Sequence, residues 1–205
     1  MLATLLSGLN PEQSRAVTLP SGSALVLAGA GSGKTRVLTT RVAWLLASGR
    51  ATPMGILAVT FTNKAAREMT TRLSAMLPFS PRGMWIGTFH GLAHRFLRAH
   101  WREAGLPQTF GILDMQDQLA LIKRLLKSLA VSDEAFPPRE LQRFINSNKD
   151  QALRAEALAP HDAYHTKLTE LYAAYDAQCN REGVVDFAEL MLRSYEVLTR
   201  HAPLR

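Results

Sequence analysis

Apolar positions in the first ninety residues fall into short blocks separated by polar turns, and the blocks alternate between two periodicities. Ser23-Ala24-Leu25-Val26-Leu27 is a short apolar run bounded by turn residues, the pattern of a buried parallel strand over 23–28. The next segment places Val37, Val42, Leu45 and Leu46 on one face of a helix over 34–47, which Gly49 closes. Ile56-Leu57-Ala58-Val59-Thr60-Phe61 predicts a second buried strand and Asn63 to Met76 its crossover helix. Met84-Trp85-Ile86-Gly87 predicts a third strand, running into a helix from Thr88. Ahead of all these, Asn10 predicts a helix N-cap, with Pro11 at the first helical position and Gln13 three residues after the cap. Such alternation builds a parallel α/β sheet, whose ligands sit at the carboxyl ends of the strands.

Beyond residue 88 the pattern changes. Helical spacing runs over 88–103, 114–129, 138–146, 162–180 and 187–200, with no further strand apparent. Breaks fall at Gly105-Leu106-Pro107, Phe136-Pro137-Pro138, Ala159-Pro160 and Gly183. Two domains are therefore expected: 1–88, the beginning of an α/β sheet, and 89–205, an all-α subdomain.

Composition narrows the class. At 205 residues and 47% hydrophobic, the chain can bury one large core or two small ones. No apolar run is long enough to span a bilayer, and the N-terminus carries neither a basic leader nor a cleavage site, so the cytoplasm is the expected compartment. Cys179 stands alone, which excludes a disulfide framework and a thiolate metal cluster, and it is expected to be a small buried apolar residue. The net charge is +7, with 18 arginines against 6 lysines, a balance that suits a polyanionic partner because arginine pairs phosphate bidentately and stacks on bases. A basic average without a patch would give the same totals.

The most specific chemistry lies in Ala28-Gly29-Ala30-Gly31-Ser32-Gly33-Lys34-Thr35, set between the 23–28 run and the 34–47 helix. Glycines there let the backbone wrap an anion, and the helix start adds its positive end. In such a phosphate-binding loop Lys34 reaches the β- and γ-phosphates and the Thr35 hydroxyl is a magnesium ligand. Ala28 stands where the strict pattern has glycine.

At the ends of the next two strands, Thr60-Phe61-Thr62-Asn63-Lys64-Ala65-Ala66 and Gly87-Thr88-Phe89-His90-Gly91 repeat one arrangement of hydroxyls, a ring and a helix start. These edges suit single-stranded nucleic acid, with bases stacked on rings and phosphates on small polar groups. The competing reading is that Thr62 and Asn63 only cap a helix and that Phe61 and Phe89 are core. His90 and His94 are four apart but lack the glutamate of a zinc protease between them. Asp186 and Glu189 read as a capping box rather than a metal pair.

Taken together, the phosphate loop with its Arg36-Val37-Leu38 continuation, the 58–66 run and the 85–95 run resemble the superfamily 1A DNA helicases. Ile112-Leu113-Asp114, Phe136-Pro137-Pro138-Arg139, Ile145-Asn146-Ser147 and the 185–190 segment are also similar to that family, so the likeness covers essentially the whole chain. It implies a RecA-like parallel sheet, incomplete here, followed by a helical insertion, in an ATP-driven motor that unwinds duplex DNA 3′ to 5′. Its cofactors would be ATP and Mg2+. It assigns Gln13 to the adenine, although Asn10 and Gln13 equally fit a capping box. Ala28, Gly29, Ala30, Gly31, Ser32, Gly33, Lys34, Thr35 and Arg36 would surround the nucleotide, with Lys34 and Thr35 catalytic and Thr35 on the metal. Phe61, Thr62, Asn63, Thr88 and His90 would line the single-strand path. Implied partners are single-stranded DNA, junctions of single and double strands, and mismatch- or excision-repair proteins, with no membrane. One departure stands out: the family's magnesium-binding Asp-Glu pair at a later strand end has no counterpart after residue 88. Asp133-Glu134 lies in a Pro-flanked loop. The chain therefore reads as an N-terminal piece of a helicase, expected to hold nucleotide and DNA without turning over.

Overall fold

Two short strands organise the first half of the chain, β1 (Leu57–Thr60) and β2 (Trp85–Thr88), which pair in parallel with Thr60 level with Thr88. Parallel strands need a crossover, and α4 (Asn63–Met76) supplies it. Its N-cap Thr62 accepts the Ala65 N–H, and its buried face carries Met69 and Leu73, four apart. Those two side chains pack with Val42, Ala43, Ile56, Ala58, Leu77 and Met84, each buried aliphatic contributing roughly 1.5–3 kcal/mol relative to exposure.

The computed structural model describes residues 2–20 and 22–204 and divides into two compact units, Met1–Leu92 and Ala93–Arg205. In the first unit α1 (Leu2–Leu6) and α2 (Pro11–Thr18) precede α3 (Lys34–Ala47). Val17, Val37 and Trp44 form a second small core. Arg41 ties α2 to α3 by donating to the carbonyls of Ala16, Val17 and Leu19 at 3.3, 3.0 and 3.0 Å, which satisfies the end of α2.

The expected strand over 23–28 is absent. Those residues form no ladder, and Leu25 and Leu27 are each 84% exposed. A strand exists through its neighbour's hydrogen bonds, and among the described residues β1 pairs with β2 alone. The other two expected strands form one residue shorter at either end or shifted by one.

Helix α5 (Phe89–Ala99) follows β2 directly. In the second unit lie α6 (Met115–Ser128), α7 (Pro138–Asp150), α8 (Ala163–Glu182) and α9 (Phe187–Arg200). Their core joins Leu121, Ile122, Leu125 and Leu126 of α6 to Leu141 and Ile145 of α7 and Leu168, Leu171, Tyr172, Tyr175 and Cys179 of α8. The expectation of a purely helical second domain is corrected by β3 (Gly111–Leu113) and β4 (Val184–Asp186), which pair in parallel. Three residues are too few for alternation to register in a sequence. Gly183 makes the β4 entry possible: it ends α8 in the left-handed region at φ 66°, and a Cβ there would stand 2.9 Å from the Pro107 ring. No helix among the described residues is long and apolar enough to cross a membrane.

Candidate functional site

Helix α3 begins unlike most of its neighbours. Side chains of Asn10, Thr62, Asp114, Asp162 and Asp186 cap α2, α4, α6, α8 and α9, whereas α3 starts at Gly33 with no side-chain cap. Its leading N–H groups therefore keep their capacity for an acceptor from outside the helix. Gly33 is left-handed at φ 86°, ψ 20°, and Gly31 has φ 74°, so the chain enters the helix by a turn that side chains with a Cβ resist.

Lys34, the first residue of α3, folds back over the loop. Its Nζ donates to the Ala28 and Gly29 carbonyls at 2.7 and 2.6 Å, and Ser32 Oγ donates to the Gly29 carbonyl at 2.7 Å. The ammonium is thus held against the loop backbone, while residues 28–32, Lys34 and Thr35 remain exposed. Thr35 and Arg36 sit in the first turn of α3. Gln13 reaches this loop from α2. Its Oε1 accepts the Asn10 N–H at 3.1 Å, completing a capping box, and its Nε2 donates to the Ser32 carbonyl at 3.0 Å. Arg36 opens onto a cavity of about 570 Å3, lined also by Leu5, Thr39, Thr40, Arg72 and Met76. The donor set around the loop is a primary ammonium, a threonine hydroxyl and uncapped backbone amides, chemistry that suits a phosphate with its counter-cation.

The strand ends carry a matched pair of turns. Thr62 Oγ1 accepts the Ala65 N–H and Thr88 Oγ1 accepts the Gly91 N–H, both at 3.1 Å. Phe61 is 89% exposed and Phe89 45%, with ring centroids 5.8 Å apart and planes at 55°. Phe61 is therefore no core residue, whereas Thr62 does cap. Asn63 and His90 are exposed beside them. The register of β1 and β2 brings these two turns level, so Phe61, Thr62, Thr88 and Phe89 form one edge. His94 is engaged elsewhere: its Nε2 accepts from Arg98 at 3.0 Å, and burial with the Arg98 charge lowers its pKa.

Sequence reasoning missed a buried ionic network in the second unit. Asp186 Oδ1 accepts the Glu189 N–H at 2.7 Å, the expected cap, while Oδ2 accepts from the Tyr175 hydroxyl at 2.8 Å and Lys149 Nζ at 2.9 Å. The other half of the capping box is replaced, since Glu189 binds Lys149, Arg154 and Arg193 at 2.9, 2.8 and 2.6 Å. Burial opposes the Glu189 charge, yet Lys149, Arg154 and Arg193 outweigh it and hold its carboxyl down to about 2. Burial likewise works against the Lys149 cation, but Glu189, Asp186 and Asp176 raise its pKa. For Asp176 burial dominates, and its carboxyl is raised. A lysine inside a polar run, at 146–150, gave no sequence signal of burial, because its partners lie 27 to 40 residues downstream. Cys179 is buried as expected, and burial pushes its thiol up to about 12.

The family of the UvrD/REP helicase N-terminal domain matches residues 9–205. The chain is 50% identical to DNA helicase II of Escherichia coli over 194 residues, covering 94% of this chain and 27% of that protein. It is 50% identical to DNA helicase II of Haemophilus influenzae over 97% of this chain and 28% of the relative. ATP-dependent DNA helicase PcrA of Bacillus subtilis is 40% identical over 96% of this chain and 27% of the relative. The chain thus spans about a quarter of the length of these curated relatives.

Proposed function

The chain belongs to the UvrD/REP helicase family, and from that premise we propose that it supplies the triphosphate site and part of the single-strand path of an ATP-dependent 3′–5′ DNA helicase. The observation that carries this reading is the start of α3: a helix with no side-chain cap, entered through left-handed Gly33, with Lys34 Nζ held on the Ala28 and Gly29 carbonyls. An anion arriving there would exchange those two neutral acceptors for charged phosphate oxygens, which are stronger partners for an ammonium. Lys34 would then neutralise the β- and γ-phosphates, residues 29–35 would offer backbone N–H groups, and the Thr35 hydroxyl would be the protein ligand of magnesium. When bound, that ion would draw charge from the phosphates being parted.

Gln13 and Arg36 support a place for the base, one tied to the loop and the other opening on the adjacent cavity. Phe61 would stack on a base, while Thr62, Asn63, Thr88 and His90 would position the DNA backbone beside it. In this reading residues 1–88 begin the RecA-like motor and 89–205 form the inserted subdomain.

For the 205-residue chain on its own we propose nucleotide binding without appreciable turnover. Asp114, which follows β3, and Asp186, which ends β4, are engaged as helix caps, and Asp133-Glu134 lies in a turn. Turnover calls for a further acidic contact to the metal and an oriented water, and we assign neither role to these residues. Calorimetry with ATP and magnesium on the wild type and Lys34→Ala tests the site. Loss of a charged contact should weaken binding by about 1.5–3 kcal/mol, on the order of tenfold to a hundredfold. Equal affinities in the two proteins would overturn the assignment.

A further inference from the structure

At the start of α8, far in sequence from the phosphate loop and the strand ends, His161, Asp162 and His165 bring three ligand atoms within 4.8 Å of one another. We propose that these side chains bind a divalent transition ion of the zinc class.

The argument begins with the cap. Asp162 is the N-cap of α8, and its Oδ1 accepts the His165 N–H at 2.7 Å, which fixes the carboxylate. Its other oxygen, Oδ2, then faces both rings: His165 Nδ1 at 2.8 Å and His161 Nε2 at 3.3 Å. A tetrahedral zinc with arms of about 2.0–2.1 Å requires donor atoms about 3.3 Å apart. The His161 edge is already at that spacing, the His165 edge opens by about half an ångström as its hydrogen bond gives way to a shared ion, and the edge between the two rings, within 4.8 Å, adjusts by rotation of the His161 side chain. Capping accounts for Asp162 and His165. His161 is brought to the same oxygen with its ring against that of His165, centroids 4.4 Å apart.

The chemistry selects the ion. Two imidazole nitrogens and one carboxylate oxygen suit zinc, cobalt, nickel or copper, whereas magnesium and calcium prefer all-oxygen sites. Neighbouring rings steady the set: Tyr164 meets His165 edge-on at 5.8 Å and stacks on Phe136 at 5.0 Å. His161 is 74% and His165 40% solvent-exposed, so remaining coordination positions would be filled by water. The positive end of α8 opposes a cation, and the Asp162 carboxylate offsets it. An ion here would clip the residue before the helix to its first turn.

The test uses the 205-residue chain and zinc alone, by calorimetry, with cobalt(II) absorption as a second probe. One ion per chain should bind with micromolar affinity, and His161→Ala or His165→Ala should each weaken it by about tenfold or more. Asp162→Asn keeps an oxygen for the cap while losing the charged ligand, and should also weaken binding. Lys34→Ala should leave zinc affinity unchanged. Ring-nitrogen NMR should show zinc-induced shifts at His161 and His165 and not at the other four of the six histidines. His161 and Asp162 are exposed and His165 is half-buried, and circular dichroism would verify that the variants remain folded. Unchanged zinc affinity in the His161→Ala/His165→Ala double variant, or no binding at millimolar zinc, would overturn the proposal.

Discussion

The amide of Gln13 has one oxygen and one nitrogen, and the structure employs each: the oxygen closes the capping box with Asn10, and the nitrogen holds the Ser32 carbonyl. The capping reading is met by the oxygen, and the nitrogen is turned to the loop, because a capping amide keeps its donor side for another partner. The glycine-rich turn into α3 was legible because its spacing is rigidly prescribed. That Gln13 lies beside this loop came from the family likeness, since nothing local marks a contact across nineteen residues. Gly33 is where this arrangement is least tolerant. Gly33→Ala puts a methyl into the left-handed region and 3.0 Å from Gln13 Nε2. It should cost about 1–2 kcal/mol in urea unfolding and weaken nucleotide binding as the loop shifts. Phe61 calls for the opposite result. With its ring exposed, Phe61→Ala should leave the melting transition within about 0.5 kcal/mol of wild type. Affinity for single-stranded DNA should fall by about 1–3 kcal/mol in fluorescence anisotropy. A lower melting transition with unchanged DNA affinity would return the ring to a packing role.

Among elements, helices were readable and strands were not equally so. The amphipathic faces of α4, α6 and α9 repeat over several turns, and their caps are coded within four residues. Strand 23–28 has the right composition, but pairing is decided by what lies beside it, and three-residue β3 and β4 leave no pattern to read. Helix α7 runs four residues past its expected end at 146, where Asn148 bonds back to the Phe144 carbonyl and Lys149 is drawn into the buried network. That network should govern the acid stability of the second unit. Glu189 has its carboxyl lowered to about 2 in the folded chain, so its stabilisation is complete above the unfolded value near 4.5 and is lost as pH falls from there through 2. Asp176 is raised and acts in the opposite sense, taking its proton earlier. Glu189→Gln takes from Arg193 its paired carboxylate and from Lys149 and Arg154 one of several, since these keep Asp176, Asp186 and Glu196, and should cost about 3 kcal/mol at neutral pH. Its deficit should shrink between pH 5 and 2.5 in urea melts, and a constant deficit would deny the linkage.

At the scale of the whole molecule, two surface properties pull in opposite directions. A net charge of +7 repels like copies and attracts a polyanion. Against it, Leu25, Val26, Leu27, Met54 and Leu57 are exposed, and β1 has an edge without a strand partner among the described residues. Unpaired backbone beside apolar side chains is a template for pairing with another chain. Salt decides which property governs a given measurement, because it screens the charge and leaves the apolar contact intact or strengthened. Raising salt should therefore weaken DNA binding by this chain and, over the same range, promote its self-association. Light scattering at several protein concentrations would show the second effect directly. Replacing Leu25, Leu27 and Leu57 by lysine should suppress association at every salt concentration, since it removes apolar area and adds repulsion together, while the buried core of β1, β2 and α4 is untouched. A wild-type chain that stays monomeric at high salt and high concentration would mean that the exposed run is covered within one molecule, and the unpaired edge would not be the feature that limits its solubility.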